Sequence, residues 1–116
     1  MADLLVDTDV FVDHLRGHRS LTVGSDRLFY STITRAELFA GRATQEDAVR
    51  LLLSPFAEVG VDRAIAERAG RLRRELAILL PDALIAATAL ERQLTLVTRN
   101  VGDFAPIPDL AVRQPD

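Results

Sequence analysis

The chain has 116 residues, 48% of them apolar, with a formal net charge of -3; that suffices for one small domain, residues 1–116, with a buried core, and leaves no room for a second. It contains no cysteine, which excludes a disulfide framework, a thiolate metal site and a thiol nucleophile and fits a cytoplasmic protein. No span approaches membrane length, and the acidic balance weighs against indiscriminate nucleic-acid binding, although all 14 basic residues are arginine, the side chain suited to bidentate phosphate contact.

Leu4 to Val6 is a short apolar run ending at Asp7, after which Val10, Phe11, His14 and Leu15 share one face of a helix that ends by Gly17. Leu28 to Tyr30 is a second strand; Thr34 then opens a helix with Glu37 three residues later, a capping-box spacing, and Gly41 near its end. Thr44 with Asp47 opens a third helix carrying Val49, Leu52 and Leu53, stopped by Pro55 ahead of an extended Phe56 to Val61 segment. From Asp62, the spacing of Ile65, Ala69, Leu72, Leu76 and Leu79 describes an amphipathic helix.

Pro81 punctuates that pattern, and Asp82 begins a helix, Ala83 to Leu90, too apolar to face water on any side and therefore central. Thr95 to Thr98 reads as a strand, Asn100 to Asp103 as a turn, and Leu110 to Val112 as an edge strand after two prolines. Strands alternating with helices imply a three-layer α/β/α domain with a central, mainly parallel sheet of four or five strands.

Four carboxylates, Asp7, Glu37, Asp82 and Asp103, fall where strand runs give way to turns or helices. In an open parallel sheet such junctions converge at the carboxyl ends of the strands. Each acid alone has a structural explanation: Asp7 and Asp82 as helix-start residues, Glu37 as a capping-box partner of Thr34, Asp103 as a turn residue. Together they need a cation, since each like-charge pair at ~4 Å and an effective dielectric of about 20 costs on the order of 4 kcal/mol. An all-oxygen set selects Mg²⁺ or Mn²⁺ over softer metals.

The segments LLVDTDVFVDHLRG, STITRAELFAGRA, PDALIAATAL and TLVTRNVGDF, in this order, resemble the PIN-domain nucleases, and within them the VapC-like endoribonuclease toxins of type II toxin-antitoxin modules. The resemblance runs from Leu4 to about Val112, with PDALIAATAL and TRNVGDF its most specific parts. It implies that Asp7, Glu37, Asp82 and Asp103 are catalytic and bind Mg²⁺ or Mn²⁺, with Thr8, Thr98 and Asn100 supporting them. It also implies a cognate antitoxin, a homodimer, and as substrate a structured RNA such as a tRNA or ribosomal RNA loop. Water activated by the metal would leave a 5'-phosphate and a 3'-hydroxyl.

Arg16, Arg35 and Arg99 lie closest in sequence to these motifs and are the phosphate-contact candidates. The apolar faces of residues 10–15 and 49–56 are candidates for binding an antitoxin or a second copy.

Two departures stand out. Asp9 and Asp13 add acids beside Asp7, where relatives often carry a small polar residue at the first position; Asp9 reads as a solvent-facing helix residue whose replacement by serine is tolerated. The stretch from Arg71 to Pro81 is compressed. His14 and His18 have a zinc-compatible spacing only if the helix passes Gly17, and they read as surface or rim residues. The rival enzyme is a haloacid-dehalogenase-like phosphatase using Asp7 and Asp9 as nucleophile and acid, weakened by the absence of lysine. A phospho-receiver module fails for the same reason, and a catalytically silent RNA- or protein-binding domain leaves all four acids unexplained.

Overall fold

The computed structural model describes residues 2–17, 26–41 and 45–115. Strands β1 (Asp3–Val6), β2 (Arg27–Ser31), β3 (Ala57–Val59), β4 (Thr95–Val97) and β5 (Val112–Arg113) form one sheet in the order β3-β2-β1-β4-β5, with every neighbouring pair parallel. The described residues also form helices α1 (Thr8–Leu15), α2 (Thr32–Phe39), α3 (Glu46–Leu53), α4 (Arg63–Leu76), α5 (Leu80–Arg92) and α6 (Val101–Phe104).

Side-chain alternation along β1 divides the core into two layers. Leu4 and Val6 pack with Val10 and Phe11 of α1, Leu38 of α2, and Val49 and Leu53 of α3. Leu5 turns the other way, onto Ile65, Ala69 and Leu72 of α4 and the buried face of α5. The first layer is closed by Phe11, whose ring meets Phe56 edge-on at 5.4 Å and Tyr30 at 6.2 Å, an arrangement that aromatic quadrupoles favour. On the other side, Ala83, Ala86, Ala87 and Ala89 leave α5 almost without side-chain bulk on its inner face, and the buried Thr88 hydroxyl is satisfied by donating to the Leu84 carbonyl at 2.7 Å. This is the three-layer arrangement expected, with all five strands parallel.

Several local expectations give way. Helix α2 begins one turn earlier than Thr34: Ser31 is its N-cap and accepts from the Ile33 N–H at 3.0 Å. Two hydroxyl residues three positions apart competed for the cap, and the one at the end of β2 prevails because the strand runs directly into the helix. Glu37 is therefore no capping-box partner. Helix α3 starts at Glu46 with no side-chain cap, and Thr44 lies outside the described residues. Helix α4 is capped by Asp62 as expected, its carboxylate accepting from the Ile65 N–H at 2.9 Å, but it stops at Leu76; Ala77 takes a left-handed conformation (φ 55°) and Leu79, 67% exposed, is not part of its apolar face. The segment after β4 is a helical turn, α6, rather than a simple turn.

Because β1 is central, the chain passes to β2 and β3 on one side and only later to β4 on the other. Such a reversal opens a crevice between the carboxyl ends of the two strands that flank it. Here those strands are β1, which ends at Val6, and β4, which ends at Val97, and the Asp7 N–H donates to the Val97 carbonyl at 2.9 Å.

Candidate functional site

Asp7 stands at that crevice. As N-cap of α1 it is 7% exposed, with Oδ1 accepting from the Thr8 N–H at 2.8 Å and Oδ2 from the Thr98 hydroxyl at 2.8 Å. Thr98 is fully buried just past β4, and its own oxygen accepts from the Asn100 N–H at 3.1 Å. A bond between residues 91 positions apart thus fixes one acid against the sheet. Burial, then the negative charge of Asp9, with Asp82 adding to it, pushes the Asp7 carboxyl up to about 7, against the opposing pull of the Thr98 and Thr8 bonds.

The other acids arrive on helices. Asp82 lies in the first turn of α5, reached from α4 and not from a strand as the junction pattern suggested. Its carboxyl is raised by burial and then by the charges of Asp103, Glu37 and Asp9. These mutual influences place Asp7, Asp9, Glu37, Asp82 and Asp103 in one electrostatic neighbourhood. Glu37 is exposed on α2 and accepts from the Thr8 hydroxyl at 2.7 Å. Since Thr8 has one hydroxyl proton and gives it to Glu37, the contact between Thr8 Oγ1 and Thr34 Oγ1 at 2.9 Å makes Thr34 the donor there. The buried Thr34, read from the sequence as a cap, instead anchors a hydroxyl chain that ends on a site carboxylate. Asp103 is exposed on α6, whose N-cap is Asn100.

Asp9 does not face solvent. It is half-buried, and its Oδ2 accepts from the Asn100 side-chain amide at 3.0 Å, the Arg99 N–H at 3.1 Å and the Thr98 hydroxyl at 3.2 Å. Its Oδ1 is buried with no hydrogen-bond partner. Burial holds its carboxyl above the ordinary range despite those donors. The sequence signal was available: Asp9 is the second residue of α1 and lies one turn from Asp13, whose carboxylate pairs with the Arg99 guanidinium.

The arginines are placed unevenly. Arg99 is engaged by Asp13, and Arg35 donates to Glu58 at 2.6 Å and to the Tyr30 hydroxyl at 2.7 Å. Arg16 is exposed at the C-terminus of α1, about 12 Å along the helix axis from Asp7 at 1.5 Å per residue. His14 sits half-buried in the last turn of the same helix, which ends before Gly17 (φ 73°); His18 lies outside the described residues.

The donor set fits a hard divalent cation. It is all oxygen, it gathers negative charge that no described arginine neutralises at Asp7 or Asp82, and it includes the orphaned Asp9 Oδ1. Among the described residues no three acidic or histidine side chains close into a ready-made ligand shell, which accords with crowded like charges holding one another apart.

Comparison with known proteins bears directly on this arrangement. The PIN domain family model matches residues 4–108. Ribonuclease VapC19 of Mycobacterium tuberculosis is 35% identical over 119 residues, covering 91% of this chain and 95% of its own. Ribonuclease VapC10 of the same organism is 39% identical over 113 residues, covering 87% and 85%. Among solved structures, a toxin-antitoxin complex from Klebsiella pneumoniae superposes with a TM-score of 0.77 at 34% identity, covering 98% of both chains. With the matched segment spanning the sheet, the crevice and all four acids first singled out, the chain belongs to the PIN-domain family.

Proposed function

We propose that this protein is a metal-dependent endoribonuclease, the toxin of a toxin-antitoxin module, working in the cytoplasm as a single PIN-like domain over residues 1–116. The observation that carries the reading is the convergence of Asp7, Glu37, Asp82 and Asp103 on one crevice with the carboxyls of Asp7 and Asp82 lifted by their neighbours' charge. That cost is paid at a site where function requires negative charge. The kinship with proteins named Ribonuclease VapC and with a toxin-antitoxin complex supports the substrate class and the antitoxin partner. Family membership also removes the phosphatase reading of Asp7 and Asp9.

Asp7, Glu37, Asp82 and Asp103 would hold Mg²⁺ or Mn²⁺. A bound divalent cation supplies Lewis acidity toward a phosphodiester and makes a water acidic enough to attack near neutral pH. The chain's own residues prepare that chemistry: Thr98 and the Thr8 N–H fix both oxygens of Asp7, and the Thr34 to Thr8 hydroxyl chain aims Glu37. In-line attack then gives a 5'-phosphate and a 3'-hydroxyl. The RNA is a structured loop of tRNA or rRNA type, whose unpaired nucleotides can enter a crevice of this size. Arg16 is free to meet phosphate, while Arg35 and Arg99 do so only by exchanging their carboxylate partners. The face of α1 and α3 is largely core, but Leu15 and Leu51 emerge from it, and they offer apolar surface to an antitoxin or to the second copy of a homodimer.

The test is purified protein with Mn²⁺ and a pool of structured RNAs. Discrete internal cuts with 5'-phosphate ends that EDTA stops are expected, with negligible hydrolysis of a small phosphomonoester. Glu37→Gln keeps the Thr8 bond and has no cap to lose, so cleavage should collapse while the melting temperature holds. Full activity in Glu37→Gln, or cutting that persists in EDTA, would refute the mechanism.

A further inference from the structure

The two oxygens of Asp9 have different surroundings. Oδ2 is saturated by Thr98, Arg99 and Asn100 and ties the loop after β4 to the start of α1. Oδ1 is out of contact with solvent and has no donor, a state that costs a buried carboxylate free energy unless something supplies positive charge. Arg99 does not do so, since its guanidinium is directed to Asp13 and it is the Arg99 backbone N–H that reaches Asp9, at Oδ2. Asp9 raises the acidities of both Asp7 and Asp82, so it lies beside the acids proposed above as ligands.

From this asymmetry we infer that Asp9 is a fifth carboxylate of the metal centre, with Oδ2 anchoring the 98–100 loop and Oδ1 donated to the cation. The inference rests on the metal-dependent reading and adds a residue to it. An oxygen fixed from behind by three donors is held in place before the ion arrives, as a ligating carboxylate with hydrogen-bonded support should be. It also explains why an aspartate is tolerated where it adds repulsion to an already crowded group of acids.

Asp9→Asn separates the two oxygens. The amide carbonyl replaces Oδ2 and keeps the loop donors satisfied, while the amide NH₂ takes the place of Oδ1 and turns a donor toward the ion. Melting of the metal-free variant should match or exceed the wild type, because a like charge has been removed. Mn²⁺ affinity, measured by calorimetry, should fall on the order of tenfold or more. The number of waters on bound Mn²⁺, counted by electron–nuclear double resonance in isotopically labelled water, should rise by one.

Asp9→Ser, which has no atom at the Oδ1 position, should show the same extra water and covers the case in which Asp9→Asn does not fold. Weaker binding with an unchanged water count in both variants would mean that Asp9 acts through charge alone, and would overturn the inference. Unchanged affinity would overturn it as well. In either case, Mn²⁺ binding that still depends on Asp7 and Asp82 leaves the nuclease reading intact, whereas a wild-type protein that binds no Mn²⁺ overturns both.

Discussion

Carboxylates on the β3 side of the sheet and those in the β1–β4 crevice live under opposite rules. Glu58 sits within hydrogen-bond reach of Arg35 and Tyr30, and its carboxyl is held below the ordinary range by those two bonds. Asp62 is likewise held low, by the Ile65 N–H at the start of α4 and then by Arg92. In the crevice, Asp7, Asp9 and Asp82 are all held high, with burial as the first cause and other acids as a recurring second one at Asp7 and Asp82. The same residue type is thus stabilising in one region and costly in the other. The difference teaches where the protein keeps unneutralised charge for a ligand and where it has already paired it.

The sharpest way to break the contrast is to remove the crevice charge. Asp7→Asn with Asp82→Asn should lower RNA cleavage by about 10³-fold or more and abolish thermal stabilisation by Mn²⁺, worth about 2.7 kcal/mol in the wild type at 100 times its dissociation constant. A double variant that still responds to Mn²⁺ would move the ion elsewhere. Next comes pH. Asp7 has a folded-state value of about 7 against a model value of 3.8, so between those limits the folded protein binds a proton that the unfolded chain has released. Metal-free stability should therefore fall as pH rises from 4 to 8, by a few kcal/mol, and denaturant melts of Asp7→Asn should show most of that slope gone. Mn²⁺ should bind more weakly below pH 7, where protons compete for the same oxygen.

The paired acids should respond in the reverse sense and more weakly. Asp62→Ala removes the α4 cap and should lower the melting temperature by a few degrees with cleavage unchanged. Glu58→Gln weakens an ion pair whose two partners are both more than a third exposed, so solvent screening limits the loss to about one or two degrees, again without effect on cleavage. Equal destabilisation by Glu58→Gln and stabilisation by Asp7→Asn in metal-free protein would complete the contrast from both ends.

How much of this was legible beforehand differs by element. Asp7 at the end of a short apolar run, the all-round apolar α5 and the Asp62 cap were readable because each signal is local and has one strong solution. Helix α2 was misread by a turn because Ser31 and Thr34 both satisfy the local rule for a cap, and only the strand pairing of β2 decides between them. Leu79 kept the helical spacing of α4, yet a left-handed Ala77 ended the helix first, a tertiary outcome that periodicity does not contain. Asp9 looked solvent-facing because its partners, residues 98–100, are about ninety positions away. The four acids themselves could be named as a group only because strand-end convergence is a property of the fold class, and the comparisons with relatives supplied that fold independently.

The strand that completes the crevice is also among the last to be made. Thr98, which fixes Asp7, and α6, which carries Asp103, follow β4, and β4 pairs with β1 across the whole intervening chain. Contacts of such long sequence separation close late because the loop entropy must be overcome before they reward it. Ribosome-bound chains that have not yet exposed residue 98 consequently lack the arrangement altogether, however well β1, β2 and their helices have formed. Synthesis and activity are separated in time by topology alone, so a cell making this protein meets it as a nuclease only once nearly the entire chain has emerged.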